Sequence, residues 1–175
     1  MLDKLVSYVA EHGLSELSLR ELADGVGTSH RMLLYHFGSR AGLVAAVAAA
    51  VEERQRALLA AVPAEASTQA DVVEAVWRQV SDPAVLPFVP LFFEVLGQAL
   101  QHRPGTEAFL ENLTAPWIDE GLALVRERGL GELTSAEARV AVAVVRGLLV
   151  DLAATGDRAA ADEALARFTA LLRSS

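Results

Sequence analysis

The chain lacks cysteine, and aromatic residues make up only 6% of its 175 residues. Without cysteine it can form neither a disulfide framework nor a thiolate metal site. The longest uncharged runs, residues 41–51 and 83–93, are about half of the roughly 20 residues that a membrane helix needs. The N-terminus also lacks the basic segment and apolar run of a secretory signal. We therefore expect a cytoplasmic protein without a membrane span.

Basic charge is scarce as well. The chain has 15 Lys and Arg against 23 Asp and Glu, a formal net charge of −8. Nucleic-acid-binding proteins usually carry a basic surface, so the overall charge argues against that class. The acidic excess is uneven, because residues 1–45 have four basic and five acidic residues while the rest has 11 and 18. Contact with nucleic acid would therefore depend on a few well-placed cations near the N-terminus.

Alanine and leucine dominate the sequence, and no stretch shows the period-two alternation of strands. The spacing of apolar residues and the capping residues predict an all-α fold with about nine helices. These helices cover residues 2–12, 18–25, 28–36, 39–62, 70–80, 83–100, 107–128, 135–155 and 162–173. Pro116 predicts a kink within the seventh. By role, the sequence divides into a DNA-binding domain over residues 1–45 and a ligand-binding and dimerisation bundle over residues 46–175.

Residues 18–37 carry the most informative pattern. Ser18 and Glu21 match the Ser-x-x-Glu capping box, glycines follow, and a second short helix starts polar and ends apolar and aromatic. This order is typical of a helix-turn-helix, whose second helix enters the major groove with its N-terminal side chains against bases and phosphates. Arg31 can form bidentate bonds to guanine. The candidate DNA-binding residues are Thr28, Ser29, His30, Arg31, Tyr35, His36 and Arg40.

The segment over residues 18–43, SLRELADGVGTSHRMLLYHFGSRAGL, resembles the DNA-binding segment of the tetracycline repressor (TetR) family. The matching positions are Leu22-Ala23, Gly27, His36-Phe37, Ser39-Arg40 and Leu43. The usual tyrosine of the recognition helix falls on Leu34, with the aromatic residue moved to Tyr35. The resemblance implies a ligand-responsive repressor that binds a palindromic operator as a homodimer.

The central helices carry aromatic residues with a few polar neighbours. This composition fits a ligand pocket and equally fits a plain hydrophobic core. The resemblance implies a pocket for a small, mostly apolar effector in this region. The candidate ligand-binding residues are Trp77, Phe88, Phe92, Phe93, Gln98 and Trp117.

The predicted helix over residues 135–155 is apolar on nearly all sides. Such a helix is either the centre of the core or packs against its copy in a partner chain. The resemblance implies that the last two helices form a four-helix dimer interface. We therefore expect a homodimer formed through residues 135–173.

An all-helical fold can also serve two other classes of function, an enzyme and a protein-binding adaptor. An enzyme is not expected, because the sequence has no metalloprotease, phosphate-loop or nucleophile-elbow motif, and its four histidines lack metal-ligand spacing. Neither a cofactor nor a metal site is expected. A helical adaptor that binds only protein remains the alternative. The polar helix start at Ser29, His30 and Arg31, which such an adaptor does not need, favours DNA binding.

Overall fold

The computed structural model describes the backbone of residues 1–174, and the side chains of this range except those of residues 55, 56, 58–60 and 174. The described residues form ten helices and no strand, so the predicted all-α class is confirmed. In chain order the helices are α1 (Leu2–His12), α2 (Leu19–Gly25), α3 (His30–Phe37), α4 (Arg40–Ala60), α5 (Gln69–Val80), α6 (Phe88–Leu100), α7 (Glu107–Asn112), α8 (Ala115–Arg128), α9 (Ser135–Thr155) and α10 (Arg158–Ser174).

Packing groups the chain into two compact units. Unit 1 comprises Met1–Arg54 and Pro87–Leu113, and unit 2 comprises Gln55–Leu86 and Thr114–Ser175. Helices α6 and α7 therefore belong to the same unit as α1–α3. The sequence predicts a different division, by role, between residues 45 and 46. That division by role stays a prediction.

Unit 1 has an apolar core to which all its helices contribute. Burial of each large side chain stabilises the fold by about 1.5–3 kcal/mol. Helix α6 contributes Phe92, whose ring lies 5.5 Å from that of Phe109 in α7. The most deeply buried side chains include Leu5, Val9, Leu22, Leu33, Leu43, Val47, Leu91 and Val95.

Unit 2 combines an apolar core with polar contacts between α5 and α10. The indole Nε1 of Trp77 donates to Asp162 Oδ1 at 2.6 Å. The hydroxyl of the buried Thr169 donates to Glu74 Oε1 at 2.8 Å. Buried polar groups need such partners to offset their desolvation, so these bonds fix α10 against α5.

Three predicted elements were wrong in detail. The helix predicted over residues 83–100 begins only at Phe88. The single kinked helix over residues 107–128 is two helices, and Pro116 lies in the first turn of α8, where a proline costs no hydrogen bond. The last helix starts at Arg158, four residues before the predicted start at Asp162. There the carboxylate of Asp157 accepts from the amide of Ala160 at 3.0 Å, so it satisfies an amide in the first turn of the helix.

Within residues 1–174, no single helix is long and apolar enough to cross a membrane. One pair of helical segments, His30–Phe37 and Arg40–Arg54, reaches the required length and composition together, but it is bent by 68°. Among the described residues there is also no cluster of acidic and histidine side chains that could hold a metal ion.

Candidate nucleic-acid interface

Helix α2 begins at the predicted capping box. The Oγ of Ser18 accepts from the amide of Glu21 at 3.3 Å, and the Glu21 carboxylate accepts from the amide of Ser18 at 2.8 Å. Hydrogen bonds from Ser18, through its side chain and its amide, lower the pKa of the Glu21 carboxyl. The box satisfies two amides that the helix itself leaves without acceptors, so the start of α2 is fixed locally.

The turn between α2 and α3 also follows from its residues. Gly27 has a φ of 73°, which a residue with a side chain rarely adopts. The amide of Thr28 donates to Ala23 O at 2.8 Å, which closes the turn. Ser29 then caps α3, because its Oγ accepts from the amide of Met32 at 3.2 Å. The cap therefore fixes where α3 begins.

Helix α3 buries one narrow face and exposes the rest. Leu33 is 1% exposed and holds the helix against the core of unit 1. The predicted DNA-binding residues Ser29, His30, Arg31, Tyr35 and His36 are all exposed, while Thr28 is half-buried. The Tyr35 side chain is 79% exposed, and its ring meets that of His36 edge-on at 5.5 Å. The structure therefore places six of the seven candidates on one short stretch at the surface.

Arg40, the seventh candidate, is half-buried at the first residue of α4. Its guanidinium donates from Nη1 to Leu17 O at 2.5 Å and from Nη2 to Leu14 O at 2.9 Å. A longer bond of 3.4 Å reaches Ser15 O. Arg40 therefore fastens the loop between α1 and α2, a contact that the sequence pattern does not predict.

Two apolar residues on the exposed face of α3 were not predicted. Met32 is 40% exposed and Leu34 is 36% exposed. Apolar side chains in the major groove can contact the methyl group of thymine. The signal was available in the sequence, since Met32 directly follows Arg31 at the start of the helix.

The two predicted ligand-binding tryptophans belong to unit 2. Trp77 is 3% exposed and bonded to Asp162, and this bond is the largest cause of the lowered pKa of the Asp162 carboxyl. Trp77 therefore occupies a core position between two helices. Trp117 is half-buried near the start of α8.

The other four predicted ligand-binding residues lie on α6 in unit 1. Phe92 is buried in the core, and the guanidinium carbon of Arg54 lies 5.1 Å from the ring centroid of Phe88. Phe93 and Gln98 line a cleft of about 710 Å³. Its remaining lining residues are Ser15, Arg40, Ala41, Val44, Glu94, Gly97, Gln101, Arg103 and Pro104.

Comparison with family models identifies the N-terminal part of the chain. Residues 2–47 match the model described as "Bacterial regulatory proteins, tetR family". This match covers α1–α3 and the start of α4, which are the elements described above. No curated protein matches the chain.

Solved structures share the whole fold. A transcriptional regulator from Rhodococcus sp. Rha1 has a TM-score of 0.81 at 20% identity, over 98% of this chain and 92% of that one. The TetR-family transcriptional regulator PfmR from Thermus thermophilus has a TM-score of 0.61 at 20% identity, over 97% of both chains. The multidrug-binding protein EbrR, complexed with imidazole, has a TM-score of 0.67 at 23% identity, over 98% of this chain and 87% of that one.

The N-terminal helix-turn-helix therefore has the sequence pattern of bacterial regulatory proteins, within an all-helical fold. The resemblance read from residues 18–43 is confirmed by the match of residues 2–47 to the tetR family model, and the fold of the whole chain is similar to that of solved transcriptional regulators. Regulators of this family are generally DNA-binding proteins without enzymatic activity.

Proposed function

We propose that this chain is a ligand-responsive repressor that binds a palindromic DNA operator as a homodimer. The observation that carries the proposal is the exposed polar first turn of α3, with Ser29, His30 and Arg31, on a helix-turn-helix capped at both of its helices. A surface helix start of this kind presents hydrogen-bond donors to base edges and phosphates.

The predicted DNA-binding residues have distinct roles in the proposed interface. Arg31 pairs with a guanine or a phosphate. Ser29, His30 and the half-buried Thr28 contact the phosphate backbone near the start of α3. Tyr35 and His36, at the end of α3, reach the neighbouring phosphates.

Arg40 also belongs to the proposed interface. Its bonds to the carbonyls of the α1–α2 loop leave guanidinium N–H groups for a phosphate. Its contribution to DNA binding is therefore partly direct and partly through the loop that it holds.

The homodimer is supported by the outer face of α9. Its inner face is buried at Val145, Leu149 and Leu152. The outer face is apolar as well, with Val140 at 53% and Val150 at 48% exposure. Small residues between them would allow close helix approach, and the full exposed row is Ala136, Val140, Ala143, Gly147, Val150 and Ala154. A second copy of residues 135–173 would cover this row.

A small-molecule effector is supported by the cleft along α6. Its volume of about 710 Å³ lies in the range of roughly 300–1,000 Å³ that is common for ligand sites. Phe93 supplies an apolar wall and Gln98 a polar group. In the proposed mechanism, the effector binds more tightly to a conformation of residues 46–175 in which the domain over residues 1–45 fits the operator poorly.

The test is selection from a random-sequence DNA pool, followed by affinity measurements on the enriched sequence. We expect a palindrome whose half-sites are centred about one DNA turn, roughly 34 Å, apart. Arg31→Ala should weaken specific binding about tenfold or more, because a bidentate contact contributes about 1–3 kcal/mol.

Arg126→Ala is the matched control, since it removes the same charge from an exposed position on α8. It should bind like the wild type. Failure to enrich any sequence at low salt would contradict the proposal and favour the adaptor that binds only protein.

A further inference from the structure

The loop between α1 and α2 is bonded from two sides by side chains that are distant in sequence. From α6, Glu94 Oε2 accepts from the amide of Leu14 at 2.8 Å, and Glu94 Oε1 accepts from the amide of Ser15 at 2.5 Å. From α4, the guanidinium of Arg40 donates to the carbonyls of Leu14 and Leu17. One carboxylate thus accepts hydrogen bonds from two amides of the loop, and one guanidinium donates hydrogen bonds to its carbonyls.

Gln98 adds two further bonds one turn along α6. Its Nε2 donates to the Oγ of Ser15 at 3.1 Å and to Glu94 Oε1 at 3.4 Å. The Gln98 bonds orient both the carboxylate and the loop. We call Glu94, Gln98 and Arg40 the loop clamp.

We propose that Glu94 is a positioning residue for DNA recognition, which holds the recognition helix through the loop and not by touching DNA. The inference rests on the proposed sequence-specific binding by α3 and assigns a new residue to it. Leu17 precedes Ser18, the cap of α2, so fixing the loop fixes where α2 starts. Helix α2 in turn packs against α3, and Leu22 and Leu33 are both buried in the core that the two helices share.

The chemistry of the clamp explains why a carboxylate is needed at position 94. Its two oxygens accept from two separate amides, and hydrogen bonds to a charged group are roughly twice as strong as neutral ones. The amide side chain of glutamine has only one acceptor oxygen, so its NH₂ group would face one of the loop amides. Glu94→Gln should therefore lose one bond and introduce a repulsive contact at nearly unchanged volume.

The first measurement needs no DNA. Amide hydrogen exchange at Leu14 and Ser15 reports directly on the two bonds that Glu94 accepts. We expect exchange at both amides to be faster in Glu94→Gln than in the wild type, while amides in the middle of α9 keep their protection. Unchanged exchange at Leu14 and Ser15 would overturn the proposal.

The second measurement compares specific with non-specific DNA, using the sequence enriched by the wild-type protein and a scrambled duplex. Glu94→Gln should weaken specific binding about tenfold, the effect of losing roughly one charge-assisted hydrogen bond. Non-specific binding should fall much less and keep its salt dependence, because it depends on the number of cationic groups near the phosphates, which the substitution leaves unchanged, and not on the register of α3 against the base edges. A purely structural role would instead lower both affinities in proportion to the folded fraction, and that result would overturn the proposal.

Two further variants complete the experiment. Glu111→Gln removes the same charge from an exposed position on α7 and should match the wild type in exchange and in DNA affinity. Glu94→Asp keeps both acceptor oxygens but shortens the side chain, so it should retain the fold and give an intermediate specific affinity. If Glu94→Asp folds and binds specific DNA as tightly as the wild type while its loop amides exchange freely, Glu94 has no positioning role.

Discussion

Gly105 lies in the turn between α6 and α7, with a φ of 92°. An ideal Cβ at this position would overlap the carbonyl oxygen of Ala41 in α4. Backbone cannot move aside as a flexible side chain can, so only glycine fits. We expect Gly105→Ala to destabilise the protein by more than about 1 kcal/mol, measured as a lower midpoint in urea unfolding.

Gly121 provides the matched control, because it lies within α8 and an added Cβ would meet no atom within 4 Å. Gly121→Ala should stabilise the protein by about 0.5–1 kcal/mol, the usual gain from alanine over glycine in a helix. Equal effects of the two substitutions would contradict the proposed close approach between Gly105 and Ala41.

Arg40 shows which residue roles a sequence can reveal. Its place after Ser39, at a predicted helix start beside the recognition helix, was enough to predict that Arg40 is a DNA-binding residue. Its bonds to Leu14 and Leu17 join residues more than twenty positions apart, and Glu94 reaches the same loop from eighty positions away. Such contacts depend on packing of distant helices, so local pattern could not predict them.

At the scale of the element, the starts of α2 and α9 were well predicted because their signals are local. The box at Ser18 and Glu21 lies within one turn of chain, and the predicted bounds of α9 agree with the structure. The split between α7 and α8 was missed, since the apolar spacing continues through the residues that separate them. The usable signal was Pro116, because proline is favoured in the first turn of a helix, and Pro116 lies in the first turn of α8.

The start of α5 gives a prediction about pH. Thr68 Oγ1 accepts from the amide of Asp71 at 3.1 Å, and Asp71 Oδ2 accepts from the amide of Thr68 at 2.9 Å. The hydrogen bond from Thr68 is the largest cause of lowering the pKa of Asp71 from 3.8 to about 2, with Arg173 contributing as well. The folded state therefore favours the ionised carboxylate, and this stabilisation is present above about pH 4 and lost as the pH falls towards 2.

Asp71→Asn should lower the melting temperature near neutral pH, and its difference from the wild type should narrow as the pH falls from 4 to 2. Thermal unfolding followed by circular dichroism across this range measures the difference. Asp119→Asn, at an exposed position of α8, controls for the loss of one charge. A difference between Asp71→Asn and wild type that is constant with pH would show that the capping box does not depend on the charge of Asp71.

At the scale of the whole molecule, the acidic net charge of −8 sets a condition on DNA binding. Long-range attraction between DNA and this chain is weak, so the proposed DNA binding depends on close contacts at α3 and, in the proposed homodimer, on two half-sites held together. Joining two recognition helices in one dimer raises affinity without adding a new contact to either. A monomer of this composition should bind its half-site poorly.

Val150→Glu tests that argument, because it places a charge in the middle of the exposed apolar row of α9. Burying an unpaired carboxylate between two copies is costly, so the variant should be monomeric by light scattering and bind the palindrome at least tenfold more weakly. Leu100→Glu is the control, since it changes a side chain of 64% exposure at the end of α6 in the other unit. It should leave the dimer and the DNA affinity intact. If the Val150→Glu protein remains dimeric, the interface lies elsewhere. If it is monomeric but binds the palindrome as tightly as the wild type, recognition does not depend on dimerisation, and the proposal of a palindromic operator bound by a homodimer is wrong.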